Sequence, residues 1–164
     1  MWAAAIAPER QVYFLKQLQR VLSEGSFVAS YKFALLHALA DLSVTHGDDS
    51  SAPLKLTTRQ IAEVIIELYW RQTLPFPVAG GEPRVLAQNT GKQAGIIAIL
   101  QEASRRHAGS LQRLKHDHAT WMSVVAAVDV IIRKMPLWKL QTVGGQQIEF
   151  LYPNVGHGTS VELY

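Results

Sequence analysis

Residues 88–93, QNTGKQ, come closest in this sequence to a pattern that binds a ligand. A Gly-Lys pair that opens an apolar helix is how a nucleotide-binding P-loop ends, because the free N–H groups of the helix start hold phosphate. Here Leu86 stands where the first glycine of that loop belongs, and Gln93 replaces the hydroxyl that holds magnesium. These departures argue against a nucleotide site. Two interpretations stay open: a site for another phosphate, including one in a nucleic-acid backbone, or an ordinary capped helix start.

Residues 116–118, HDH, suggest a metal site at first inspection. On a helix, residues two apart point about 200° apart, so the two histidines cannot grip one ion, whereas on a strand they can. We expect a helix or turn here and predict no metal site. The sequence has no cysteine and no Gly-x-Ser-x-Gly motif, and its adjacent acids, Asp48 and Asp49, lie in a polar turn. We therefore assign no catalytic residue to this sequence.

The composition is that of one globular domain. The chain has 164 residues, of which 48% are hydrophobic and 18% charged, so it can bury a sizeable core. It has no cysteine, its first residues do not form a secretion signal, and no apolar stretch is long enough to span a bilayer. We expect a cytoplasmic protein that does not contact membranes.

Positive charge is concentrated in residues 84–139. This segment holds nine Lys and Arg against three Asp and Glu, whereas residues 1–83 hold seven against eight. Such a segment is a candidate phosphate-facing surface, and the alternative is a solvated face without a partner. Together with the helix start in QNTGKQ, it defines a candidate nucleic-acid-binding site. The predicted residues are Asn89, Thr90, Gly91, Lys92, Gln93, Arg84, Arg105, Arg106, Lys139 and Arg59.

Helical periodicity covers most of the chain that must position these residues. Residues 8–23 place one apolar face on a helix, which we expect to be buried; it consists of Val12, Leu15, Leu18 or Gln19, and Leu22. Residues 30–45 are apolar nearly all round, which predicts a central buried helix.

Three further helices follow in the sequence. Thr57 and Gln60 fit a capping box that opens a helix after a short strand at residues 54–56. Residues 73–83 are predicted to form a long loop. Helices over residues 91–107 and 120–134 come next.

The period changes after Pro136, where a helix stop is expected. The run LWKLQTVGGQQIEFLY is two alternating stretches around residues 144–145, which predicts a β-hairpin with Trp138 on one face and Lys139 and Gln141 on the other. Residues 156–164 show no clear element, so we expect a tail or the start of a linker. The predicted fold class is α+β, mainly α-helical: one winged-helix-like bundle over residues 1–155 with a C-terminal β-hairpin.

Four stretches of the sequence together resemble a known family. SFVASYKFALLHALADLSV, LTTRQIAEVIIELYW, AQNTGKQAGII and MPLWKLQTVGGQQIEFLY are similar to the N-terminal region of bacterial HNH endonuclease-domain proteins, which occur among restriction and phage-defence genes. The resemblance spans residues 10–155, with the stretches in the family's order.

The resemblance implies a helical, winged-helix module that stands ahead of a nuclease domain. In the family, the histidine-rich ββα metal site lies farther along, so a divalent metal belongs to that domain and no cofactor is expected here. The sequence reaches Tyr164 without such a motif. We therefore expect either a fragment of a longer nuclease or a separate subunit, and these residues leave open whether the whole protein is an enzyme.

Two hypotheses from different classes follow. The leading one is a module that binds nucleic acid and positions the substrate of an HNH-type endonuclease in restriction or phage defence. DNA rather than RNA is the expected partner, other defence-system subunits are further candidates, and residues 144–145 form the tip of a wing. The alternative is a protein-interaction module that recruits or restrains a nuclease or sensor, with Trp70, Phe76 and Pro77 as anchors.

Overall fold

The computed structural model describes residues 7–24, 31–48, 52–84, 95–134, 136–154 and 158–164. The helices in these ranges are α1 (Pro8–Glu24), α2 (Tyr31–His46), α3 (Thr58–Trp70), α4 (Gly95–Arg106), α5 (Leu111–His116), α6 (His118–Lys134) and α7 (Pro136–Lys139), with a 3-10 turn at Arg71–Thr73. The strands are β1 (Leu54–Thr57), β2 (Phe76–Val78), β3 (Gly81–Arg84), β4 (Thr142–Val143), β5 (Gln146–Gln147) and β6 (Ser160–Leu163). The protein is an α+β domain that is mainly α-helical, as predicted.

Helix α3 forms the centre of the core and begins as predicted. The Gln60 N–H donates to Thr57 Oγ1 at 3.2 Å, and the Thr57 N–H donates to Gln60 Oε1 at 2.8 Å, so the capping box is confirmed. Ile61, Ile65 and Tyr69 are at most 2% exposed. Because α2, α4 and α6 all pack on α3, this helix fixes the positions of the others.

Helix α1 buries a face that is rotated from the predicted one. Leu18 of the predicted stripe packs against the smaller core cluster, whereas Val12, Leu15 and Leu22 are in solvent, with exposures of 50, 61 and 41%. Val21 is fully buried instead, and the Phe14 ring lies 5.6 Å from the Phe150 ring. Both faces of α1 are apolar, and contact with the aromatic ring of Phe150 decides which one packs. The central helix α2 is also buried along one face only, since Phe33 and Val44 are 51 and 86% exposed.

The strands of the described ranges form three separate two-stranded antiparallel ladders. Strand β1 pairs with β6, so that Leu56 lies opposite Val161, and both side chains are buried. The prediction that residues 156–164 form a tail or linker is therefore wrong for Ser160–Leu163, because this segment completes the core. A second pair, β2 and β3, turns at Gly80 inside the predicted long loop.

The predicted C-terminal hairpin is present as β4 and β5. Gly144 and Gly145 have φ values of 56° and 80°, which suits the two-residue turn of a hairpin. Helix α6 ends at Lys134, so the helix stop predicted just before Pro136 is confirmed. The hairpin is shorter than predicted, because Pro136–Lys139 form α7, and proline fits the first position of a helix. Since β1 pairs with β6 and not with this hairpin, the winged-helix arrangement stays a prediction.

Gln141 was predicted on the outer face of the hairpin, but it is fully buried. Its Oε1 accepts the backbone N–H groups of Phe150 and Leu151 at 2.9 and 2.7 Å, and its Nε2 donates to the Tyr152 carbonyl at 2.9 Å. One side chain thus pairs three backbone groups of an irregular segment that has no ladder partner there.

No helix of the described ranges is long and apolar enough to cross a membrane.

Candidate nucleic-acid interface

The centre of the predicted site, residues 89–93, lies outside the described residues. Helix α4 is described from Gly95 onward, so the cap and the phosphate site expected at Asn89 to Gln93 stay predictions. The five other predicted residues are described, and all five are exposed: Arg59, Arg84, Arg105, Arg106 and Lys139.

Arg105 and Arg106 lie in the α4–α5 corner, which we define as residues 102–117. Both guanidinium groups bind the Glu102 carboxylate, with Arg106 Nε at 2.7 Å from Oε1. The hydrogen bond from Arg106 and the charge of Arg105 hold the pKa of Glu102 below its usual range. Since one carboxylate is shared by two arginines, this pair contributes one net positive charge rather than two.

The backbone of the α4–α5 corner is fixed by hydrogen bonds. The Gly109 N–H donates to the Ser104 carbonyl at 2.8 Å, and both Ala108 and Gly109 have positive φ, as is typical of a helix C-terminus. The Trp70 indole N–H donates to the Gly109 carbonyl at 3.0 Å. Trp70 is only 4% exposed, so its predicted role as a docking anchor is wrong: it belongs to the core.

Asp117 of the HDH stretch serves as a helix cap. Its carboxylate accepts the Thr120 hydroxyl at 2.6 Å and the Thr120 N–H at 3.2 Å, and its Oδ2 lies 3.3 Å from His107 Nε2. These hydrogen bonds, that of the Thr120 hydroxyl first, lower the pKa of Asp117. Among the described residues no group of three or more His, Cys, Asp or Glu side chains could hold a metal ion.

Arg59 and Arg84 lie on other elements. Arg59 is in the first turn of α3, where its guanidinium is 3.3 Å from the Met122 sulfur of α6. Arg84 is in β3, opposite Phe76. Neither has a carboxylate within 4.0 Å among the residues that the structure describes.

Lys139 belongs to a second basic region, at the junction of α6 and α7. Its ammonium lies 5.8 Å from the centre of the Trp138 ring. The Trp138 indole N–H donates to the Lys134 carbonyl at 2.9 Å, and Asn154 Nδ2 donates to the Trp138 carbonyl at 2.8 Å. We call the group formed by Arg133, Lys134, Trp138, Lys139 and Asn154 the Trp138 surface.

A small pocket lies beside the Trp138 ring. Its volume of about 30 Å³ is enough for about two water molecules. Arg133, Tyr152 and Ser160 line it together with Trp138 and Asn154. Arg133 Nε donates to Asp129 Oδ2 at 3.0 Å, so the guanidinium is held at the pocket wall.

Among the predicted residues that the structure describes, Arg105 and Arg106 do not share a face with Lys139. Helix α6 separates the α4–α5 corner from the Trp138 surface, and its 17 residues extend about 25 Å. Sequence reasoning missed three residues of these regions: Arg113 in the corner, and Lys134 and Trp138 at the Trp138 surface. The run RKMPLWK, with three cations and a tryptophan in residues 133–139, is the signal that identifies the second region.

No protein-family model, no curated protein and no solved structure matches this chain.

Proposed function

We propose that this domain binds nucleic acid through its phosphate backbone. The observation that carries the proposal is a set of exposed cations with no carboxylate within 4.0 Å among the described residues. They are Arg59, Arg84, Arg113, Lys134 and Lys139. Lysines and arginines that are not neutralised by neighbours are the groups that displace counterions from phosphates.

The internal pairing of acids strengthens this proposal. All three acidic residues of the basic segment 84–139 already have partners: Glu102 binds two arginines, Asp117 caps α6, and Asp129 binds Arg133. Among the described residues of this segment, Lys115 binds Glu67 of α3, and the other cations without an acid partner face solvent: Arg84, Arg113, Lys134 and Lys139. Contacts of this kind position a protein on nucleic acid and do not select a sequence.

The proposal extends to the parent protein on the ground of the four resembling stretches. The domain would position DNA for an HNH-type endonuclease of bacterial restriction or phage defence in the cytoplasm, with the metal site in the nuclease domain. The β4–β5 hairpin fits a wing in one respect, because Gly144, Gly145, Gln146 and Gln147 at its end are all exposed.

Titration of a labelled DNA duplex at several salt concentrations tests the binding. With about four phosphate contacts, affinity should fall about a hundredfold between about 50 and 200 mM salt. Lys92→Ala should lower the slope of log affinity against log salt by about one unit if residues 89–93 hold a phosphate. Lys16→Ala, an exposed lysine of α1, is the control and should leave the slope unchanged. Absence of binding at low salt would overturn the proposal.

A second candidate function is a protein interaction through α1. The exposed residues Val12, Leu15 and Leu22 share one face of α1, and scattered single apolar residues do not form such a row. Self-association of the domain is the simplest form of this interaction. Leu15→Glu should then shift sedimentation from oligomer to monomer without lowering the melting temperature, and a wild-type monomer at high concentration argues against it.

A further inference from the structure

The Trp138 surface combines an aromatic ring with cations, and we infer that it stacks an unpaired base of single-stranded nucleic acid. This inference rests on the proposed nucleic-acid binding and adds the strandedness of the ligand at one surface. Bases within a duplex are stacked on their neighbours, whereas a single strand offers free base faces to aromatic side chains. Stacking tolerates any sequence, because every base has a π-face.

The Trp138 ring is held in place before any ligand arrives. Its indole N–H is bonded to Lys134 and its carbonyl accepts the Asn154 amide, so both the ring edge and the backbone are fixed. The neighbouring Leu137 is 7% exposed, and its carbonyl accepts the Tyr152 hydroxyl. Burial raises the pKa of Tyr152, which keeps that hydroxyl protonated as a donor. A fixed ring loses little conformational entropy when a base stacks on it.

A comparison with Trp121 shows that this ring is not an ordinary core side chain. Trp121 also has a lysine nearby, since Lys115 Nζ is 5.4 Å from its ring centre, but its ring packs against the main hydrophobic core. In the described ranges, Trp138 packs against neither of the two core clusters. Its ring lines a pocket too small to take in a base, so a base would lie against the ring and not insert.

The charges around Trp138 suit a phosphate backbone that runs past the ring. Lys134 and Lys139 are exposed, and neither has a carboxylate partner among the described residues. Of the acids nearby, Asp129 binds Arg133, whereas Glu149 accepts the Asn154 N–H at 3.2 Å and is not paired with Lys134 or Lys139. The Lys139 ammonium is only weakly attracted to the Trp138 ring. When a base stacks on that ring, the ammonium can move away from it and bind a phosphate instead.

Binding of a single-stranded oligothymidylate and of a duplex of equal length tests the inference. Trp138→Leu should weaken binding of the single strand about 5- to 100-fold, as expected for the loss of one base stack, and leave duplex affinity nearly unchanged. Trp138→Phe keeps an aromatic face and should stay within a few-fold of the wild type. Trp121→Phe is the matched control. The melting temperature of each variant establishes that it is folded.

Tryptophan emission gives a second measurement if Trp138→Leu does not fold. The oligothymidylate should quench emission of the wild type and of Trp121→Phe, and this quenching should be lost in Trp138→Phe. Unchanged quenching in Trp138→Phe, or unchanged affinity in folded Trp138→Leu, would overturn the inference. If the duplex binds and the single strand does not, the inference is wrong and the proposed function stands. If neither binds at low salt, the proposed function itself is wrong.

Discussion

The α4–α5 corner and the Trp138 surface contain similar numbers of basic residues but differ in how these are used. In the corner, Arg105 and Arg106 share Glu102, so two of its exposed arginines are partly neutralised within one helix. At the Trp138 surface, Lys134 and Lys139 have no acid partner among the described residues and flank an anchored aromatic ring. A count of basic residues therefore identifies both regions, whereas ion pairing shows that the corner has one exposed arginine without an acid partner, Arg113, and the Trp138 surface has two such lysines.

The largest expected effect is on stability, from removing the Gln141 side chain that pairs the backbone of residues 150–152. Gln141→Leu leaves the Phe150 and Leu151 N–H groups and the Tyr152 carbonyl without partners, which should lower the free energy of unfolding by about 3 kcal/mol. Gln147→Leu, on the exposed strand β5, should change it by less than about 0.5 kcal/mol. Urea unfolding of both variants measures the difference, and equal effects would show that the Gln141 hydrogen bonds are unimportant.

A second prediction separates the two regions by salt dependence. Lys134→Gln combined with Lys139→Gln should lower the slope of duplex affinity against salt by about two units, because two phosphate contacts are lost. The control combines Lys16→Gln with Lys55→Gln, two exposed lysines outside both regions, and should leave the slope unchanged. Equal slopes in both double variants would place the phosphate contacts elsewhere.

A third prediction makes the α4–α5 corner more like the Trp138 surface by freeing its arginines from their acid partner. Glu102→Gln removes the carboxylate that cancels one of the two charges of Arg105 and Arg106, so the slope should rise by about one unit and affinity at low salt should increase. Stability should change little, because exposed ion pairs contribute little. A slope that stays the same in this variant, measured with the same duplex, means that the corner does not face nucleic acid.

The smallest effect concerns the pH dependence of the corner. The pKa of Asp117 is lowered in the folded protein, chiefly by the Thr120 hydroxyl, so its contribution to stability is present above its ordinary pKa and is lost as pH falls through the folded value. Asp117→Asn should therefore lower the melting temperature at neutral pH and have less effect in acid. Asp41→Asn, an exposed acid of α2, is the control. If Asp117→Asn lowers the melting temperature equally at neutral and at acid pH, the charge of Asp117 is not the source of the stabilisation.

The sequence predicts structure well where the deciding interaction is local. The capping box of Thr57 and Gln60 lies within four residues, and it is confirmed together with the helix that it opens. The face that α1 buries depends on Phe150, far along the chain, so periodicity alone selected the wrong stripe. Gln141 is polar, and alternation placed it outside, whereas its three backbone partners lie nine to eleven residues away.

The candidate site is predicted less completely than the fold. Charge counting selects Arg105, Arg106 and Lys139 correctly as exposed cations, but it cannot show that Glu102 neutralises the first two. The fixed position of the Trp138 ring depends on hydrogen bonds to Lys134 and Asn154, and the second of these spans 16 residues. Residues 89–93 stay a prediction that the binding experiments above examine.

The pairing of β1 with β6 has a consequence for how the chain folds during synthesis. Thr57 and Ser160 are joined across more than a hundred residues, so this ladder closes a long loop and forms late. Until Ser160–Leu163 leave the ribosome, the Leu56 side chain lacks its contact with Val161 and one edge of β1 is unpaired. A nascent chain stalled before that point presents an unpaired strand edge, which is the kind of surface that chaperones bind and that aggregates recruit.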